Sequence, residues 1–172
     1  MNLILCGLPG SGKSTTCRLL AQRLGCPLLE TDQEIEQMYA KQTGQKANCR
    51  EIHKHLGEAA FRELENRVLS SFQGTHHVID VGGGILTHAE NAQILKKLGT
   101  LIYFKVDREV VFQRLMEKGT PSYLDVNHPY ESFIALAKTR ELLYQKYADI
   151  ILEVTNLTPS GAAEKILERV KL

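Results

Sequence analysis

The chain has 172 residues, of which 43% are hydrophobic and 24% are charged, and its formal net charge is +1. This length suits one domain with a buried core, and the composition excludes a disordered or fibrous protein. The balanced charge argues against a nucleic-acid-binding protein, and no run approaches the roughly 18 apolar residues of a membrane span.

The first predicted elements are a strand, a helix and a second strand. Residues 2–7 form an apolar run that ends in glycine, which is typical of a strand buried on both faces of a parallel sheet. Apolar residues at helical spacing over residues 13–24, followed by a glycine and a proline, predict a helix with a stop signal. Residues 27–30 then predict a short strand.

The rest of the chain continues the alternation. Thr31 or Asp32 is expected to cap a helix that runs toward residue 44. Further helices are predicted over 57–72, around 94–98, from an Asp107 cap to about 118, up to 147 and at the C-terminal end, and further strands at 77–81, 100–106 and 150–154. Residues 43–48 and 119–129 are expected to be loops. This order predicts an α/β fold, a three-layer α/β/α arrangement around a five-stranded parallel sheet.

The four cysteines are Cys6, Cys17, Cys26 and Cys49. They form no CxxC pair and have no histidine-rich partner segment, so we expect reduced thiols. The apolar start is too short for a secretion signal. We therefore expect a cytoplasmic monomer that binds neither nucleic acid nor membranes.

A phosphate-binding loop gives the strongest signal. Residues 7–14, GLPGSGKS, match GxxxxGK[ST] and lie between a predicted strand and a predicted helix, the context that the motif requires. Backbone N–H groups and an exposed Lys13 are expected to face the phosphates, while the Ser14 hydroxyl reaches Mg²⁺. The nucleotide-binding residues are then Gly10, Ser11, Gly12, Lys13, Ser14 and Thr15.

Two alternatives apply to this loop. A plain glycine-rich turn would bind no nucleotide. The segment at 80–83, DVGG, also resembles the DxxG segment of GTPases, but no [NT]KxD segment for reading guanine follows.

Four further segments accompany the loop. They are residues 28–36 (LLETDQEIE), 57–65 (GEAAFRELE), 81–85 (VGGGI) and 139–144 (TRELLY). Together with the phosphate loop, and in this order, they resemble the shikimate kinase family over almost the whole chain. The resemblance implies a P-loop NTPase fold of the nucleoside-monophosphate-kinase type. It also implies phosphorylation of shikimate to shikimate 3-phosphate, with ATP as donor and Mg²⁺ as cofactor.

The resemblance also implies roles for the acceptor side. Arg62 and Arg140 would bind the shikimate carboxylate, and Asp32 would bind ring hydroxyls beside the one that is phosphorylated. Gly82, Gly83 and Gly84 would let the ring approach the backbone. These residue types suit the chemistry, because guanidinium groups hold a planar carboxylate and a carboxylate orients a hydroxyl nucleophile.

Each assignment has a structural alternative. Arg62 has Glu58 and Glu65 at helical spacing as ion-pair partners. Asp32 would serve as a helix cap, and the glycine triplet as a bend after a strand. Arg114, which the resemblance places against adenine, would instead face solvent. The resemblance further implies an acceptor-binding helical segment at about 31–62 and a lid at about 116–128.

The chain departs from the family pattern at several positions. Glu30 replaces an aspartate, and Asp80 replaces a small neutral residue, so the candidate metal-binding residues are Ser14, Glu30 and Asp80. The lid lacks the family's arginine, and Lys118 is its only cation between residues 116 and 125. We expect Lys118 to replace that arginine in part. Another small-molecule kinase, of the gluconate or nucleotide type, and a nucleotide-binding relative of low activity stay open as alternatives.

Overall fold

The computed structural model describes residues 1–171. In chain order its elements are β1 (Asn2–Cys6), α1 (Lys13–Leu24), β2 (Leu28–Glu30), α2 (Thr31–Thr43), α3 (Cys49–Leu56), α4 (Glu58–Ser71), β3 (Val78–Asp80), a 3₁₀ turn (Ile85–Thr87), α5 (Ala89–Leu98), β4 (Gly99–Lys105), α6 (Arg108–Glu117), α7 (Pro129–Tyr147), β5 (Ile150–Glu153) and α8 (Pro159–Val170). Among these described residues, no helix is both long and apolar enough to span a membrane.

The five strands form one parallel sheet in the order β2-β3-β1-β4-β5. Crossovers between parallel strands are right-handed, so the direction of a crossover along the sheet decides which face it covers. The connection from β1 to β2 lies on one face, and the connections from β2 to β3, from β3 to β4 and from β4 to β5 run in the opposite direction and lie on the other face. The packing agrees, since α1 contacts α8 on one side while α4 contacts α5 on the other. The predicted three-layer fold is confirmed.

The register of the sheet brings three loops to one edge. Asp80, the last residue of β3, pairs with Leu5 of β1 and with Glu30 of β2. The chain segments that follow these strands therefore leave the sheet side by side. In open α/β sheets this carboxyl edge is where ligands bind, and it carries the phosphate loop, the start of α2 and the glycine triplet.

Two separate hydrophobic cores stabilise the fold. The main core surrounds the sheet and includes the fully buried Ile4, Leu5 and Ile79. A second core packs α2, α3 and α4 together and consists of Ile35, Tyr39, Ile52, Phe61, Leu64 and Val68. Burying one side chain of valine, leucine, isoleucine or phenylalanine stabilises a fold by roughly 1.5–3 kcal/mol. The second core thus holds the three helices as a unit beside the sheet.

Two sequence expectations about local structure were wrong. Helix α3 was not predicted, although Asn48 and Glu51 form a capping box at its start. Neither Thr31 nor Asp32 caps α2. The helix begins at Thr31 with Glu30 in the cap position and without a side-chain capping bond, so Asp32 lies in the first turn. By contrast, Asp107 caps α6 as predicted.

Candidate active site

The phosphate loop connects β1 to α1 and forms a concave surface. Gly12, which precedes α1, has φ 86°, a left-handed conformation that glycine adopts without steric cost. Residues 10–15 line a cavity of about 460 Å³, together with Glu30, Asp32, Asp80 and Lys118. We call it the phosphate-loop cavity. The N-terminal end of α1 opens into it, and free N–H groups at a helix start attract anions.

Lys13 is buried, contrary to the expectation that it is exposed. Its ammonium donates a hydrogen bond to the carboxylate of Asp80, and the two side chains are only 10% and 7% exposed. Burial is the largest single influence on Lys13 and opposes its charge, but the Asp80 carboxylate, with smaller contributions from Cys17 and Asp32, raises the pKa of the ammonium above its usual value. Lys13 is therefore a fixed cation at the floor of the cavity.

Glu30 ends β2 and Thr31 begins α2, and Thr31 connects this helix to the end of β3 and to the glycine triplet. The Thr31 hydroxyl donates to the carbonyl oxygen of Asp80 at 3.3 Å and accepts from the Gly82 N–H at 3.2 Å. Glu30 accepts a hydrogen bond from Arg18 at 2.6 Å. Glu30 lines the cavity, and its other carboxylate oxygen accepts a hydrogen bond from the Gln33 side chain, so both oxygens are already occupied.

Asp32 lies where two cavities meet. Its carboxylate reaches solvent through the cavity but is surrounded by protein on its other sides, and this partial burial raises the pKa of its carboxyl. Asp80 raises the pKa further, whereas Lys13 opposes the shift. A carboxylate with a raised pKa accepts a proton more readily than an ordinary aspartate.

A second and larger cavity contains both predicted acceptor arginines. It has a volume of about 750 Å³ and borders Asp32, the glycine triplet, Arg62 and Arg140. We call it the arginine cavity. Ser122 and Tyr123, from the segment between α6 and α7, also line it. The structure thus brings together Asp32, all three glycines and both arginines around one cavity.

Arg62 is held by two carboxylates of its own helix. Its Nε donates to Glu58 at 2.8 Å, and its Nη1 donates to Glu65 at 2.7 Å. The structural alternative considered for Arg62 is therefore present, and it coexists with a position in the cavity wall. The guanidinium lies so close to Gly84 that an added Cβ there would be 2.8 Å from its Cζ. Glycine at this position is what allows the approach.

Glu65 is the carboxylic acid of this cavity whose pKa is raised most. Its side chain is 2% exposed, and burial raises its pKa to about 7 although the Arg62 guanidinium opposes the shift. The carboxylates of Asp32 and Glu58 raise it further. Glu65 therefore changes its charge near neutral pH.

Arg140 projects from α7 toward Gly83. An added Cβ at Gly83 would be 3.2 Å from its Nη1. Within residues 1–171 Arg140 makes no ion pair, and the adjacent Glu141 pairs with Arg108 instead. One turn along α7, the Tyr144 hydroxyl donates to the carbonyl oxygen of Gly83. Arg140 is thus an available cation on a helix that is fixed to the glycine triplet.

Arg114 and Lys118 lie on the other side of the phosphate loop. Arg114 donates to the carbonyl oxygen of Ser11 at 3.2 Å and lines a cavity of about 390 Å³ with Val154 and Pro159. Arg114 is also exposed, so the solvent-facing alternative and a place beside the phosphate loop coexist. Lys118 lines both this outer cavity and the phosphate-loop cavity, and it has no ion pair among the residues described.

Sequence reasoning missed three residues that shape the site. Thr31 fixes the glycine triplet to α2, Tyr144 fixes it to α7, and Glu65 sets the charge beside Arg62. Glu65 was predicted only as an ion-pair partner of Arg62. Its spacing of three residues from Arg62 was the one signal that it would lie beside that arginine in the site. The roles of Thr31 and Tyr144 depend on contacts across the chain that no local pattern reveals.

A metal ion at this site would need phosphate oxygens of a bound nucleotide or water molecules in addition to protein side chains. In the described part of the chain, no three His, Cys, Asp or Glu side chains group closely enough to hold one. The Asp80 carboxylate accepts a hydrogen bond from Lys13 through Oδ1 alone, which leaves Oδ2 for another partner. Mg²⁺ typically takes one or two carboxylates plus phosphate oxygens and water. Asp80, with the Ser14 hydroxyl beside it in the same cavity, fits that pattern.

Comparison with known proteins gives a consistent result. The family model described as shikimate kinase matches residues 9–171. A shikimate kinase of Thermodesulfovibrio yellowstonii is 33% identical over 97% of this chain and 93% of its own, and one of Histophilus somni is 35% identical over 98% and 94%. The structure of shikimate kinase from Acinetobacter baumannii in complex with shikimate has a TM-score of 0.87 at 32% identity, covering 99% of this chain and 92% of that one. Shikimate kinase from Aquifex aeolicus has a TM-score of 0.80 at 29% identity, covering 99% and 96%.

Proposed function

This chain belongs to the shikimate kinase family, and we propose that it transfers the γ-phosphoryl group of ATP to a hydroxyl group of shikimate, giving shikimate 3-phosphate and ADP. One observation carries the proposal. The phosphate-loop cavity and the arginine cavity share Asp32, Gly82 and Gly83 as a common wall. A donor phosphate in the first cavity and a carboxylate-bearing acceptor in the second would meet at Asp32.

The donor side binds the nucleotide. Backbone N–H groups of the loop and the Lys13 ammonium hold the phosphates, and Arg114 borders the outer cavity in which the base would lie. Positioning and charge stabilisation supply most of the catalysis in phosphoryl transfer, because the transition state spreads negative charge over the equatorial oxygens. A buried cation at a fixed place suits that task.

The acceptor side holds and orients the hydroxyl. Arg62 and Arg140 bind the carboxylate, so the ring is fixed against the glycine triplet. Asp32 accepts a hydrogen bond from the hydroxyl and takes its proton as the bond to phosphorus forms. We assign the acceptor-binding segment to residues 31–62 and the lid to residues 116–128.

The metal-binding residues of the proposal are Ser14, Glu30 and Asp80. Mg²⁺ bound with the nucleotide would supply positive charge to the phosphates. Asp80 faces the cavity floor, whereas Glu30 shares its carboxylate with Arg18. Of the two acids we therefore assign Asp80 the closer contact.

The proposed function is tested by measuring ADP release with different acceptors. We expect turnover with shikimate and a rate at least about a hundredfold lower with gluconate or a nucleoside monophosphate. The arginines attract the anionic group of each, but neither molecule is a carboxylate-bearing ring that places a hydroxyl beside Asp32 while it lies against the glycine triplet. Turnover with one of the other acceptors alone would make this chain a different small-molecule kinase. ADP binding without any turnover would make it a low-activity nucleotide-binding relative.

Loss of either acceptor arginine is expected to weaken shikimate binding. Arg62→Ala and Arg140→Ala should each raise the Kd roughly tenfold to a hundredfold, because each removes a charge-assisted hydrogen bond. Calorimetry with shikimate measures this directly. Arg67→Ala, an exposed arginine on the same helix as Arg62, is the matched control and should bind as the parent does. Unchanged affinity in both variants would contradict the acceptor site.

Glu65 is expected to make shikimate binding pH-dependent. Below pH 7 its carboxyl is protonated, so Glu58 is the one ionised carboxylate of this helix that still competes with the acceptor carboxylate for Arg62. Above pH 7 the ionised Glu65 competes for Arg62 and repels the acceptor. The Kd should therefore rise several-fold from pH 6 to pH 8, within the limit of about tenfold per pH unit for one linked proton.

The variant Glu65→Gln should bind with a nearly flat pH profile over this range. Glu63→Gln, an exposed acid of the same helix, should keep the slope of the parent protein. An unchanged slope in Glu65→Gln would assign the titration to another group.

Lys118 is expected to act in the chemical step from the lid. Lys118→Ala should lower the single-turnover rate roughly tenfold. This effect is smaller than that of removing a rigidly held oxyanion-hole donor, because a lysine ammonium is a flexible point charge and lacks the two parallel N–H donors of an arginine. Thr120→Arg, which places an arginine in the exposed lid, should raise that rate. Lys138→Ala on α7 is the control. If Lys118→Ala leaves the rate unchanged, Lys118 only ends α6 and the lid acts by excluding water.

A further inference from the structure

An acidic residue sits beside the lysine that faces the phosphates. Asp80 ends β3, in register with the ends of β1 and β2, and its carboxylate accepts a hydrogen bond from the Lys13 ammonium. Both side chains are buried. Lys13 is the only side chain of residues 1–171 that donates to this carboxylate. In the free protein, the negative charge of Asp80 therefore offsets the positive charge of Lys13.

The pair need not separate when a nucleotide binds. An ammonium group has three N–H donors, and Asp80 occupies one of them. Lys13 can keep Asp80 and still donate to a phosphate oxygen. That oxygen and the carboxylate are then each one hydrogen bond from the same nitrogen, which places them within about 6 Å of each other. Like charges at such a distance repel, and most strongly where water is excluded.

The other charges of the cavity do not remove this repulsion. Asp32 lies in the same cavity and adds a second carboxylate. Arg18 is paired with Glu30. Lys118 lies at the edge of the cavity and is exposed. A nucleotide without a metal ion thus meets one fixed cation whose charge is already offset, whereas a nucleotide that carries a divalent cation brings compensating charge to Asp80.

We propose that Asp80 makes this protein select the metal-bound nucleotide by repelling the metal-free form from the phosphate-loop cavity. The inference rests on the proposed nucleotide site and adds a specificity-determining residue to it. Removing a carboxylate that only positioned Lys13 would weaken the binding of metal-free nucleotide, and removing one that only ligated the metal would leave it unchanged. A repelling carboxylate raises that affinity when it is removed.

The test is calorimetric binding of ADP at one ionic strength, in EDTA and in Mg²⁺. Asp80→Ser and the isosteric Asp80→Asn should each bind metal-free ADP at least about tenfold tighter than the parent protein, while the Kd for ADP with Mg²⁺ stays equal or rises. Glu34→Gln, which removes one negative charge from the first turn of α2 and has no ion pair among the described residues, should bind as the parent does. Thermal unfolding of each variant verifies that it is folded.

The outcomes separate the inference from the function on which it rests. If the parent protein binds ADP with Mg²⁺ and both Asp80 variants bind metal-free ADP no tighter than the parent, the inference is overturned and the nucleotide site stands. Equal tightening in Glu34→Gln would also overturn it, because the effect would then be one of net charge. A parent protein that binds no ADP in either condition overturns both.

Discussion

Replacing Lys13 by alanine should lower turnover by at least about a thousandfold and, at the same time, destabilise the fold by roughly 3 kcal/mol. The loss of activity follows from removing the buried cation that faces the phosphates. The loss of stability follows from Asp80, whose carboxylate would remain buried without its partner. ADP release and urea denaturation measure the two effects separately.

A double variant separates the two causes. Lys13→Ala combined with Asp80→Ser should recover most of the lost free energy of unfolding, because no unpaired charge is left at the cavity floor. It should stay inactive, since no cation is restored. Near-normal turnover in Lys13→Ala would contradict the phosphate-loop assignment, and unchanged stability would mean that the buried pair contributes nothing to the fold.

Asp32→Asn should lower kcat by about a hundredfold to ten-thousandfold while the Kd for shikimate changes only a few-fold. Asparagine keeps the shape of the side chain but accepts no proton at neutral pH. Asp32 lies at the wall between the two cavities, where the hydroxyl would meet the donor phosphate. Steady-state kinetics together with calorimetry measure the two quantities.

Glu34→Gln serves as the control for this experiment, because it changes an acid of the same helical turn that lines neither cavity. A normal kcat in Asp32→Asn would remove Asp32 from proton transfer. A large increase in Kd with an unchanged kcat would instead make it a binding residue.

The fold was predictable where local signals and the global arrangement agree. The apolar run of β1 and the phosphate motif predicted the first residue of α1 correctly, because both signals depend only on residues that are close together in the sequence. Helix α3 was not predicted because it is only eight residues long, shorter than the stretch over which a helical period is usually recognised, although Cys49, Ile52 and Leu56 do recur at helical spacing. Its capping box at Asn48 and Glu51 was the readable signal.

The site was predictable as a set of residues but not as a set of contacts. Helical spacing offered Arg62 two partners, and only the structure shows that it binds both at once. The pairing of Lys13 with Asp80 joins positions 67 residues apart and depends on how β1 and β3 align. A single sequence carries no direct record of that register, so burial of Lys13 could not be anticipated.

The second core has a consequence for how such a protein diversifies. All of its buried members come from one uninterrupted stretch between Ile35 and Val68, whereas the residues around the outer cavity are spread from Gly10 to Ala162. A single recombination event in this stretch would replace three helices together with the packing that folds them. Arg140 lies outside the stretch and would stay. The helical part of the acceptor cavity can therefore be exchanged as one segment of the gene, while the glycine triplet, Arg140 and the phosphate loop remain unchanged.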